Sequence, residues 1–162
     1  MSTDNTATDR AVEITRIFDA PRELVWQAWT DPQHLMRWWG PKDFTAPACK
    51  IDLRVGRKYH FCMRSPDGQD YWNKGIFREL VERERIVYTD SFADAEGNSV
   101  PATFYGMGAD IPFEMVLTVT FEELDGKTKM TLHYVDFSSR EMSEMTHAGW
   151  NESFDKLAES LR

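Results

Sequence analysis

Three residues in this chain, Cys49, His60 and Cys62, are of the types that hold a metal ion. A structural zinc site needs four such ligands in tetrahedral array. His60 and Cys62 share a face of one segment that reads as a strand, whereas Cys49 falls on the opposite face, and no fourth ligand accompanies them. No metal site is expected. The same parity separates Cys49 from Cys62, so they read as free thiols of a reducing compartment rather than as a disulfide. A second set, Tyr71, Asn73, Tyr105, His133 and Asp136, carries groups able to orient a bound molecule; the plainer alternative for each is exposure or a structural hydrogen bond. Acid–base catalysis needs both partners within reach of one atom, which spacing alone does not supply. No serine elbow, no Cys/His pair at a known spacing and no phosphate loop is present, so catalysis is not supported and no cofactor is expected.

The larger signal is apolar. Tyr59, Phe61, Met63, Tyr88, Phe92, Phe113, Met115 and Leu117 recur at strand parity on faces that point the same way. Met145 and Gly149 join them from a C-terminal helix, and Trp38, Trp72 and Trp150 border the set. Such a set either packs into a solid core or lines an apolar cavity in which a few polar groups fix a ligand's orientation. The tandem Trp38-Trp39 before Gly40-Pro41 reads as one ring plugging the core and one capping a cavity or an oligomer contact.

These side chains need elements to hold them. Val12 to Phe18 alternates as a strand, broken by Arg16. Pro21 opens a helix with Leu24, Val25, Ala28 and Trp29 as its buried stripe, and Asp31-Pro32 caps and starts a second, short one. From Phe44 the period is two, with strands over 46–54, 57–65, 71–80, 84–92, 112–124 and 127–137. Gly56 in the left-handed region closes the first pair, and Asp125-Gly126 forms a hairpin turn. The segment 93–111 reads as a long irregular loop. The last helix runs from about Ser139 to Leu161, with Ser138 and Glu141 at capping-box spacing. Its apolar stripe is drawn through Met142, Met145, Gly149, Trp150, Phe154, Leu157 and Leu161. Space is expected along Met142 to Gly149, and solid core from Phe154 onward. The 162 residues make one domain, 11–162, after a disordered tail over 1–10. The net charge of −8 argues against nucleic acid, and no apolar run is long enough to insert in a membrane. A cytoplasmic protein is expected, and homodimerisation is left open.

The stretch ITRIFDAPRELVWQAWTDPQHLMRWWGPKDF resembles the start of the SRPBCC, or START-like helix-grip, superfamily. DLRVGRKYHFCM, KGIFRELVERERIVYTDSF, TVTFEELDGKTKMTLHY and GWNESFDKLAESL resemble, in order, the branch named for the C-terminal domain of the activator of heat-shock protein 90 ATPase. The resemblance implies an α+β helix-grip fold, a curved antiparallel sheet of about seven strands wrapped on the terminal helix. It also implies a tunnel between sheet and helix that takes an apolar or aromatic small molecule. The alternatives it carries are a chaperone-contacting module with a role in stress response and a cyclase- or dehydratase-like enzyme. The namesake has a separate N-terminal domain where this chain has ten residues, which argues against full ATPase-activator activity.

Overall fold

The computed structural model describes residues 10–106, 114–136 and 140–161, with the backbone alone at 10 and 136. Strand β1 (Arg10–Phe18) is followed by helices α1 (Arg22–Thr30) and α2 (Pro32–Leu35). Six strands succeed them: β2 (Thr45–Ile51), β3 (Lys58–Arg64), β4 (Asp70–Val81), β5 (Arg85–Ala93), β6 (Met115–Leu124) and β7 (Lys127–Asp136). Helix α3 (Arg140–Ser160) ends the chain. The strands form one curved antiparallel sheet in the order β1-β7-β6-β5-β4-β3-β2. This is the α+β helix-grip architecture. Phe113, Ser138 of the expected cap and the tail before Arg10 lie outside the described residues.

Local chemistry explains the joints. The Asp31 carboxylate accepts a hydrogen bond from the Gln33 N–H at 3.1 Å, satisfying a donor that the first turn of α2 leaves open. Pro21 precedes α1 as its cap rather than occupying its first turn, and no side chain caps that end. Asp125 and Gly126 both take positive φ (53° and 82°), the two-residue turn whose twist matches antiparallel strands. Gly56 is left-handed (φ 85°) as expected. Ala93 closes β5, then bridges to Ser99, and a 3₁₀ turn (Ala102–Tyr105) shapes part of the long loop.

Register settles which side chains share the inner face. Cys49, Phe61, Asn73 and Phe92 lie in one row across β2–β5; Tyr59, Gly75, Asp90 and Met115 stand in the next across β3–β6. Phe77, Tyr88, Leu117 and Tyr134 form a third. Cys62 is opposite Ala48, on the other face from Cys49, and both thiols are free. The core closes α1, α2 and the second half of α3 onto this face: Val25, Ala28, Trp38, Phe154 and Leu157 are wholly buried. Arg16, which interrupts the apolar pattern of β1, points at α3 and ties it down through Asp155 at 2.7 Å and the Asn151 carbonyl at 3.3 Å. Lys156 anchors the other side: its ammonium donates to the carbonyls of Gly40, Pro41 and Phe44 at 3.0 to 3.1 Å.

Candidate functional site

The interior below α1 and α2 is aromatic and nearly full. Trp29 touches the rings of Trp38, Trp39, Tyr88, Phe121, Trp150 and Phe154, at centroid distances from 4.9 to 6.5 Å. Its indole N–H points at the Met130 sulfur, 3.2 Å away. A cavity of about 20 Å³ remains, lined by Trp29, Leu35, Trp39, Ile51, Tyr59, Phe61, Phe77, Ile86 and Tyr88. That is room for about one water molecule. It lies under α1 and α2.

Toward the other end of the inner face the packing loosens. Cys49, Met63, Tyr71, Asp90, Phe92 and Met115 share the face of the buried aromatics yet are only half-buried. Helix α3 thins along its inward face toward its N-terminus. At about 100° per residue, Trp150, Phe154, Leu157 and Leu161 fall within about 60° of one another, and Thr146 and Ser143 continue that line toward the N-terminus. The inward stripe therefore tapers from Trp and Phe to hydroxyl-bearing small residues. Met145 lies about 140° from Trp150 on the same geometry and is 60% exposed. Its expected inward position is corrected: a 3-4 spacing traced through Met145 follows a different face from the one that Phe154 and Leu157 bury. Gly149 flanks the stripe, where an added Cβ would stand 3.6 Å from Pro41. Trp150 is half-buried and meets Trp39, a lining residue of the small cavity, edge-on at 5.6 Å.

A polar cluster is set into this wall. Gly75 stands between Tyr59 on β3 and Asp90 on β5. Because Gly75 has no side chain, the Tyr59 ring crosses it and places its hydroxyl 2.7 Å from the Thr89 carbonyl and 2.8 Å from the Asp90 carboxyl. Burial pushes the Asp90 carboxyl up from its ordinary 3.8 to about 7, the Tyr59 hydrogen bond holding it back in part. Burial first, then the Asp90 charge, raises the Tyr59 and Tyr88 phenols well above their usual range. The Tyr88 hydroxyl and the Asn73 amide oxygen are buried without a hydrogen-bond partner. Such atoms are rare in well-packed interiors and mark a place where a partner is missing.

Of the residues expected to contact a ligand, Tyr59, Phe61 and Tyr88 line the small cavity. Met63, Phe92 and Met115 occupy the looser end; Leu117 is buried in the sheet's centre. Trp38 is wholly buried, its N–H given to the Ala28 carbonyl at 2.9 Å, and it is Trp39 that reaches the cavity. Trp72 does not border the inner face: it pairs with Cys62 and Ala93 on the outer face, stacked on His60 at 4.5 Å. One residue's parity separates it from Asn73. His133 likewise faces outward opposite Glu13 and Thr118. Tyr105 is held by the Trp72 N–H and the Ala93 carbonyl, and Tyr71 packs on its ring at 5.3 Å. His34 is half-buried, with Nε2 3.1 Å from the Ser160 hydroxyl. Asp90 and Gly75 are absent from the sequence reading; Asp90 shares the parity of Tyr88 and Phe92, so the same alternation would have placed it. Among the described residues no group of three or more His, Cys, Asp or Glu is positioned to hold a metal.

The family model described as Activator of Hsp90 ATPase homolog 1-like protein matches residues 19–162. Several solved structures superpose along nearly the whole chain. A protein from Chromobacterium violaceum is 28% identical with a TM-score of 0.76, covering 93% of this chain and 96% of its own. One from Arthrobacter aurescens is 28% identical with a TM-score of 0.77, over 93% of this chain and 85% of its own. The AHSA1 protein of Silicibacter pomeroyi, 24% identical with a TM-score of 0.72, covers 94% of this chain and 97% of its own and shares the fold. No curated protein matches the chain.

Proposed function

The chain belongs to the family of Activator of Hsp90 ATPase homolog 1-like proteins, and from there we propose that it binds an apolar or aromatic small molecule between the inner face of its sheet and the first half of α3. One observation carries this reading. Residues that register places on the core face, Met63, Phe92 and Met115 among them, stay half-buried where the α3 stripe tapers to Thr146 and Ser143. Burying a Phe or Met side chain contributes about 1.5 to 3 kcal/mol, so a face left half-wet forgoes stability that an apolar ligand can recover. Trp39 and Trp150 set the depth of the site: swinging the half-buried Trp150 ring would join the looser end to the small cavity beyond. The polar atoms of Asn73 and Tyr88 supply the few orienting groups such sites use.

Titration with the neutral fluorophore N-phenyl-1-naphthylamine tests the proposal. Saturable binding at one site per chain, displaced by unlabelled apolar aromatics, is expected. Absence of saturable or displaceable binding contradicts it. The family's description supports a second reading, an interaction module for a heat-shock chaperone. Capture of heat-shock protein 90 by this chain, undiminished by substitutions at Met63 and Met115, is the result that favours it.

A further inference from the structure

Three polar groups on the inner face, running from Tyr88 in the lining of the small cavity to Asn73 at the looser end, set a rule for what a ligand must carry. Asn73 is 7% exposed and Tyr88 4% exposed, and each has a polar atom buried without a partner. They stand on adjacent strands: Asn73 is opposite Phe92 on β5, two residues beyond Asp90 and four beyond Tyr88 on the same face. Asp90 completes the set, partly exposed, with one of its oxygens already engaged by the Tyr59 hydroxyl at 2.8 Å. Tyr59 has a single proton, shared between the Thr89 carbonyl and this carboxylate, so the ionised Asp90 retains acceptor capacity.

Among the described residues no cation is paired with these three groups. Lys58, Arg64 and Lys74 of β3 and β4 alternate onto the outer face, in register with Ile76, Asp70 and Ser91. Arg16 does face inward, but it lies on edge strand β1 and is committed to Asp155 and Asn151 of α3. An anionic head group entering here would be desolvated beside a carboxylate with nothing to pair it, which is among the most unfavourable placements a buried charge can have. A neutral hydroxyl or N–H, by contrast, completes valences that the fold leaves open.

We propose that Asn73, Tyr88 and Asp90 form a head-group subsite that selects ligands whose apolar or aromatic body ends in a neutral hydrogen-bond donor, such as a phenolic hydroxyl, and rejects those ending in a carboxylate or other anion. This rests on the binding reading above and specifies its ligand class.

Three probes of one shape decide it: naphthalene, 2-naphthol and 2-naphthoate, each titrated calorimetrically into the full chain in buffer alkaline to the Asp90 midpoint. The subsite predicts 2-naphthol binding about tenfold or more tighter than naphthalene, the gain of one well-formed bond to a waiting buried group, and no saturable binding of 2-naphthoate. In Tyr88→Phe and Asn73→Leu, with folding verified by circular dichroism, the ratio of naphthol to naphthalene affinity falls toward one. Equal affinities for the three probes, naphthoate binding as tightly as naphthol, or a ratio unmoved in both variants overturns the head-group rule while leaving the binding reading standing. Failure of all three probes to bind overturns both.

Discussion

Gly75→Ala is the sharpest structural perturbation available. The backbone there is ordinary strand, so the glycine is needed for space, not for its dihedral freedom. A Cβ added at Gly75 would fall inside the contact radius of the Thr89 carbonyl oxygen and 2.6 Å from both Cε2 and Oη of Tyr59. Normal contact requires about 3.4 Å or more, so the Tyr59 ring must withdraw by about 1 Å. Its bonds to Thr89 and Asp90, now 2.7 and 2.8 Å, stretch beyond hydrogen-bonding range. Overpacking costs about 1–3 kcal/mol, and stranding a buried phenol about 1–3 more; the better propensity of Ala returns less than about 1. A net loss of about 3 kcal/mol is expected, read as a lower midpoint in urea unfolding followed by tryptophan fluorescence. With a slope of about 2 kcal/mol per molar for a domain of this size, the midpoint falls by about 1.5 M. Tyr59→Phe made in the Gly75→Ala background should cost at least about 1 kcal/mol less than in the parent, since the clashing oxygen is gone. A Gly75→Ala protein within about 1 kcal/mol of the parent, or strictly additive costs in the cycle, refutes the crossing of Tyr59 over Gly75.

Asp90→Asn probes the same cluster through pH. Because folding raises this carboxyl from 3.8 to about 7, its contribution to stability is fully present below about 4 and is lost as pH rises to about 7. The full shift would be worth about 4 kcal/mol as an upper bound; with Asp90 only half-buried, about 1–2 is expected. Asp90→Asn should therefore gain stability relative to the parent across that window, and a flat difference across it contradicts the raised midpoint. Lys156→Met removes three bonds to the carbonyls of Gly40, Pro41 and Phe44; about 2 kcal/mol of destabilisation is expected, with faster amide exchange over residues 40–44. Phe154→Ala should cost about 3–5 kcal/mol and Met145→Ala, at an exposed position, less than about 0.5, both by thermal unfolding; near-equal losses would mean α3 is rotated from the position described.

The fold was legible because its signals are local. Period-two alternation, the Asp125-Gly126 turn and the Asp31-Pro32 cap each act over a few residues, and the observed elements fall within a few residues of the expected ones. What escaped was set by partners distant in sequence. Asp90 looks like one polar residue in a strand until Gly75 lets Tyr59 reach across to it. Arg16 looks like a flaw in β1 until Asp155 arrives from α3 to meet it. Trp72 was misassigned by one step of parity, which in a sheet is the whole difference between inside and outside. Apolar type draws the α3 stripe through methionines, whereas the line that continues Phe154 and Trp150 inward passes through Thr146 and Ser143, small, polar and half-buried.

Methionine methyl groups offer the most direct test of ligand binding between sheet and helix. Met63 and Met115 stand at the looser end of the inner face, Met130 is wholly buried beside Trp29, and Met145 is exposed on the far side of α3. In a chain carrying 13C-labelled methionine methyls, saturation with N-phenyl-1-naphthylamine should shift the Met63 and Met115 resonances and leave Met145 in place. Unmoved Met63 and Met115 signals at saturation, or shifts confined to Met145, would contradict a ligand site between the sheet and α3.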